Sequence, residues 1–122
     1  MILVDTNVWV EYFRGGAQHL EVLLNSGLVV THEYVIEELA LGGLKTRDKH
    51  FHLLSLLSCH VKVGHDEIME FILPRVRNQR AIGLVDTYLL CSAVLEGLQL
   101  YTLDKTLHRA ADQLGVAHQV GR

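Results

Sequence analysis

The stretch MILVDTNVWVEYF, residues 1–13, decides how the rest of the chain is read. Ile2, Leu3 and Val4 form a short continuous apolar run, the pattern of a strand covered on both faces. An aspartate follows at once. From Thr6 onward the apolar spacing changes to that of an amphipathic helix. A lone buried charge is costly unless it is paired or bound to a metal. Asp5, placed at the end of a buried strand, therefore asks for partners elsewhere in the chain.

The same alternation continues outward. LVVT at 28–31, HVKV at 60–63 and LQLYT at 98–102 are strand candidates, and VAHQV at 116–120 is a fifth and weaker one. Amphipathic segments fall at 6–14, 18–25, 32–42, 46–58, 66–80, 86–96 and 105–114. Glycines at 15, 27, 43, 64, 83, 97 and 115 punctuate their ends. Pro74 falls inside a helical pattern and should kink or split that helix. Short strands alternating with helices of this kind predict α/β crossovers: a three-layer α/β/α sandwich around a central, mostly parallel sheet of about five strands.

The chain has 122 residues, 49% hydrophobic and 20% charged, which suits one globular domain with a real core. No apolar run approaches the roughly 18–20 residues needed to cross a bilayer. MILVD has no basic n-region and no small-residue cleavage site, so no signal peptide is expected. Cys59 and Cys91 are too few for a disulfide framework; Cys91 reads as a buried free thiol, and a reducing cytoplasm is the simplest setting. The formal net charge of −3 is not the footprint of a general nucleic-acid binder. That mean changes if several acids converge on cations. RVRNQR at 75–80 holds three arginines and no acid, and reads as a solvated helix end before a phosphate contact.

In open parallel sheets, ligands bind beyond the carboxyl ends of the strands, where strand order reverses. Asp5 follows the first strand, and Asp104 follows LQLYT in the same way. In EYVIEELALGG, Glu38 shares a stripe with Val35, Leu39 and Gly42 and is expected to face inward, whereas Glu33 and Glu37 are expected to be solvated. In GLVDTYLLCSAVLEG, Asp86 shares a stripe with Leu89, Leu90 and Ala93 and lies in the first turn, where the helix dipole favours an anion. Each acid has an ordinary reading taken alone; Asp104, for instance, is a plausible N-cap. Together they predict a carboxylate cluster. Two charges about 4 Å apart repel by roughly 4 kcal/mol at an effective dielectric of about 20. Hard oxygen ligands suit Mg²⁺ or Mn²⁺, and such a site suits metal-assisted phosphodiester hydrolysis.

Four segments, ILVDTNVWVEYF, VIEELALG, GLVDTYLLCSAV and LYTLDKTLHRAA, resemble in order and spacing the motifs of the PIN-domain family, and most closely the VapC-type toxins of bacterial toxin–antitoxin modules. The resemblance covers essentially the whole chain, as a single PIN-like domain over 1–122. It implies a Mg²⁺- or Mn²⁺-dependent endoribonuclease. The family's four acids map to Asp5, Glu38, Asp86 and Asp104 as catalytic and metal-binding residues, with Thr6, Asn7 and Thr102 in support. Where Leu107 stands, family members often carry an aromatic residue, a departure that bears on packing. The resemblance further implies a VapB-type antitoxin that brings a basic residue near the acids, an RNA substrate and a homodimer. Apolar side chains near Trp9, Tyr12 and Phe13, and FHLLSLL at 51–57, are candidates for those contacts or for the core.

Other chemistries fit less well. The spacing of His50, His52, His60 and His65 matches no common zinc pattern, and HEYVI at 32–36 lacks the second histidine of a zincin. Asn7 occupies the place where a haloacid-dehalogenase-type phosphatase needs its second aspartate. Neither a P-loop nor a dinucleotide fingerprint occurs. The remaining alternative is a catalytically weak PIN-like module that binds RNA or protein.

Overall fold

The computed structural model describes residues 1–42, 52–57, 63–75 and 82–120. Within them, β1 (Ile2–Val4), β2 (Val29–Val30) and β3 (Gln99–Tyr101) form a parallel sheet in the order β2-β1-β3. Leu3 sits opposite Val30 on one side and Leu100 on the other. β1 and β2 are short and continuously apolar because helices cover both faces, and in β3 only Gln99 at its start is polar and exposed. Leu3, Val4 and Leu100 are fully buried.

The helices are α1 (Thr6–Phe13), α2 (Gln18–Asn25), α3 (Glu33–Leu41), a segment α4 over 52–55, α5 (His65–Ile72), α6 (Leu84–Glu96) and α7 (Lys105–Gln113). The chain leaves β1 through α1 and α2 to reach β2, then crosses back over β1 to reach β3. Crossovers between parallel strands are right-handed, so excursions in opposite directions put their helices on opposite faces. The reversal falls between β1 and β3. That is where a sheet of this topology opens a crevice.

Where they fall on described residues, the predicted helices and the strands at 2–4, 28–31 and 98–102 are present with small shifts. The helix expected at 86–96 begins two residues earlier, at Leu84. α5 stops at Ile72, and Pro74 lies in the single 3₁₀ turn Leu73–Arg75, because proline has no N–H to continue the ladder. Arg75 folds back there, donating to the Phe71 carbonyl at 2.7 Å and lying over the Phe71 ring; the rest of RVRNQR lies outside the described residues. So do most of HVKV, Cys59 and Gly43. The fifth strand candidate contributes one parallel bridge, Ala117 to Leu100. Leu100 donates to Val116 and accepts from His118, because its own amide groups face away from β1. Among the described residues there are therefore three strands, with single bridge positions at Thr31 and Ala117.

Trp9 is fully buried in the core, and Tyr12 and Phe13, half-buried, pack against it. Of FHLLSLL, Leu54 is buried and Leu56 is exposed. Cys91 is a buried free thiol. Leu107 is fully buried.

Ala17, which caps α2, has φ of 52°, a left-handed conformation that clashes with a Cβ. Ala17→Gly is expected to stabilise the fold by about 0.5–1 kcal/mol, since relief of that clash outweighs the added entropy of the unfolded chain. Denaturant melts would check this; an unchanged or lower midpoint would contradict it.

Candidate active site

The four acids arrive from four separate segments at the carboxyl edge of the sheet. Asp5 follows β1 directly, and its amide donates to the Tyr101 carbonyl of β3 at 2.9 Å. It is almost fully buried and caps α1 by accepting from the Thr6 amide at 2.7 Å. Its other oxygen accepts from the Thr102 hydroxyl at 2.7 Å and from the Asn7 amide at 3.2 Å. An ionised carboxylate offers about four lone-pair positions. Three are used here, which leaves room for one more ligand.

Thr102 and Asn7 knit the ends of β1 and β3 together. The Thr102 hydroxyl accepts from the Asp104 amide at 3.1 Å and from the Asn7 side chain at 3.2 Å. Asn7 Oδ1 in turn accepts from the Leu103 amide at 3.0 Å. Asp104 caps α7, receiving the amides of Thr106 and Leu107 on Oδ1 at 2.8 and 3.1 Å. The residue is exposed, and both of these hydrogen bonds fall on Oδ1.

Glu38 departs from the expected orientation. Val35 and Leu39 are buried, but Glu38 is exposed, on the flank of their stripe. It reaches over the start of α1, where Thr6 Oγ1 donates to Glu38 Oε1 at 2.6 Å. Glu37 is exposed as expected, whereas Glu33 is half-buried. Asp86 is half-buried in the first turn of α6.

The carboxylates act on one another. Burial pushes the Asp5 carboxyl above the ordinary carboxylate range against the pull of the Thr102 and Thr6 hydrogen bonds, and Glu38 and Asp104 push it further. Asp86 is raised from 3.8 to about 6, by burial first and then by Asp5, Asp104 and Glu38. No three His, Cys, Asp or Glu side chains among the described residues are gathered tightly enough to grip one ion as they stand.

Two supporting features have weak sequence signals. His32 is fully buried, not half-exposed, and its ring accepts from the Tyr34 amide at 3.0 Å, which caps the helix that carries Glu38. Tyr34 of α3 meets Tyr88 of α6 edge to face at 5.1 Å, joining the two acid-bearing helices. The position of His32 just ahead of an apolar-periodic run is the only hint of its cap.

A crevice at the reversal of a small parallel sheet, ringed by acids from four segments, defines a class of protein: the PIN-domain model matches residues 2–113, and the chain belongs to that family. Within the family it is 43% identical over 118 residues to Ribonuclease VapC32 of Mycobacterium tuberculosis, covering 96% of this chain and 95% of the relative. It superposes on VapBC2 from Rickettsia felis, solved bound to a DNA fragment from its promoter, with a TM-score of 0.70 at 19% identity over 89% of this chain and 92% of that one. FitAcB from Neisseria gonorrhoeae gives a TM-score of 0.67 at 24% identity over 96% and 95% of the two chains. These two likenesses concern the fold.

Asn7→Ala would remove the clasp between Asp5, Thr102 and Leu103. If these acids are the reacting site, cleavage should fall by about 10–100-fold, the usual cost of losing an orienting partner. Initial rates on an RNA substrate would check it, and an unaltered rate would remove Asn7 from the site.

Proposed function

We propose that the chain is a metal-dependent endoribonuclease, the toxin of a VapBC-type toxin–antitoxin pair, which hydrolyses RNA phosphodiester bonds. The observation that carries this is electrostatic: Asp5 and Asp86 are pushed up both by burial and by the other acids of the cluster. Such a group is best stabilised by hard cations. The name of the 43%-identical relative, a ribonuclease, supports the substrate class. The toxin–antitoxin complex from Klebsiella pneumoniae, with a TM-score of 0.66, shares the fold and supports the pairing with an antitoxin.

Asp5, Asp86 and Asp104 would hold Mg²⁺ or Mn²⁺, with Glu38 joining through water or at a second ion. The donor set fits, since it is all oxygen, and Asp5, Glu38 and Asp104 each keep carboxylate capacity that no hydrogen bond uses. The chemistry supplied on binding is a more acidic water and positive charge beside the scissile phosphate. The chain's own part is positioning. Thr102 and Asn7 fix Asp5, the amides of α7 fix Asp104, and Thr6 aims Glu38. Water, not the ribose 2′-hydroxyl, is the nucleophile in this reading, so the products carry a 5′-phosphate and a 3′-hydroxyl.

No helix among the described residues is long and apolar enough to cross a membrane, and we place the pair in the cytoplasm, acting as one PIN-like unit over 1–122 and as a homodimer. Leu41 and Leu56 are exposed at 88% and 70%, and an antitoxin segment is their proposed cover. The test is end chemistry: purified protein with Mg²⁺ should cut RNA to fragments whose 5′ ends ligate directly to an adaptor. Uncut RNA, or fragments ending in 2′,3′-cyclic phosphate, would overturn the proposal.

A further inference from the structure

We propose that His19 and His118 form a binding site for a transition-metal ion of the zinc, nickel and copper(II) class, separate from the carboxylate cluster. His19 lies in α2, and His118 lies in the segment after α7. Their rings meet Nε2 to Nε2 at 2.8 Å. The centroids are 5.1 Å apart and the planes within 20°, which puts the rings head to head through their nitrogens and not one above the other.

The tautomers follow from Gln99. Its side-chain oxygen lies 2.7 Å from His118 Nδ1 and can only accept. Nδ1 of His118 therefore carries the proton, and Nε2 presents a lone pair. The proton between the rings then belongs to His19 Nε2. One proton held between two nitrogen bases marks a place for a cation. A histidine whose other N–H is given to a carbonyl oxygen has the usual arrangement of a metal ligand. Burial, and His19 beside it, hold His118 below the ordinary histidine range, so its ring is neutral at neutral pH, as a ligand must be. The titratable groups that face His118 are His19 from α2 and Tyr101 from β3, whose ring touches both imidazoles at 5.7 and 5.4 Å.

The fit requires the rings to part slightly and to tilt, since lone pairs that face each other along the Nε2–Nε2 line must each turn by about 35° to meet at one tetrahedral ion. Two bonds of about 2.0–2.1 Å meeting near the tetrahedral angle separate their nitrogens by roughly 3.3 Å. The rings must part by about half an ångström from their hydrogen-bonded distance. Both histidines are half-buried, so the ion can enter and water can fill its open positions. Among the described residues no third His, Cys, Asp or Glu completes the group, which makes affinity modest. On binding, the proton on His19 Nε2 passes to its Nδ1, so both ligands stay neutral imidazoles, and the ion ties the segment at 116–120 to α2 across β3.

The test uses thermal melts of the full chain with Zn²⁺ or Ni²⁺, comparing wild type with His118→Gln and His19→Asn. The carboxylate cluster is intact in all three, so the difference isolates the histidine pair. At an ion concentration one hundred times Kd, wild type should gain about 5–10 °C over either variant. RNA cleavage in Mg²⁺ should be the same in all three. Should the variants not fold, electron paramagnetic resonance of wild type with one equivalent of Cu²⁺ should show coupling to two imidazole nitrogens. Equal metal-induced shifts in wild type and variants, or a Cu²⁺ spectrum from oxygen ligands alone, would overturn the site.

Discussion

Asp5→Asn is expected to lower RNA cleavage by more than about 100-fold while the protein stays folded. Loss of an orienting partner around a metal site already costs about 10–100-fold, and loss of a ligand costs more. The fold should tolerate the change because asparagine caps helices as well as aspartate does, so the Thr6 amide keeps its acceptor. The price lies on the other oxygen, where the introduced amide would face the Thr102 hydroxyl and the Asn7 amide. Against that, the buried negative charge is disfavoured beside Glu38 and Asp104, and removing it relieves repulsion. In metal-free buffer the melting temperature should therefore equal or exceed that of wild type. Glu37→Gln is the matched control, because Glu37 is exposed on the same helix and outside the cluster. It should cut RNA at the wild-type rate. A fully active Asp5→Asn protein would remove Asp5 from the chemistry.

Much of this site was legible before any coordinates, for a physical reason. A three-residue apolar run that ends in an acid marks a strand's carboxyl end, as β1 and Asp5 do; β3 carries a weaker form of the signature, since Thr102 and Leu103 stand between Tyr101 and Asp104. Periodicity was less reliable at the edge of a stripe. Glu38 lies one residue from buried Leu39 and three from buried Val35, so the stripe argument turned it inward. The helix instead holds it at the rim, where a long side chain can stay in water and still reach Thr6. The roles of Asp5 and Asp104 were harder to separate from capping, because the same carboxylate does both when a helix starts at a strand's end. Long-range pairs left no local signal. His19 and His118 stand 99 residues apart, and only the bridge from Leu100 to Ala117 brings them together.

Removal of divalent ions should have the second large effect, and its pH dependence tests the electrostatic argument directly. EDTA is expected to reduce cleavage by more than about 100-fold, with recovery on adding Mg²⁺ or Mn²⁺. Stability of the stripped protein should then fall as pH rises. The sign follows from proton counting. Asp86 holds its proton to about pH 6 in the folded chain and gives it up near 3.8 when unfolded. Between those values the folded state binds more protons, so ionisation works against folding as pH increases through the window. Asp5 is raised too and adds in the same direction. A divalent ion replaces those protons as the counter-charge. Mg²⁺ should therefore raise the melting temperature more at pH 7.5 than at pH 5, where Asp86 still carries its own proton. Melts in EDTA and in Mg²⁺ at the two pH values measure this difference. An equal Mg²⁺ effect at both would mean that the ion does not meet these carboxylates, and persistent cleavage in EDTA would mean that the reaction does not use it.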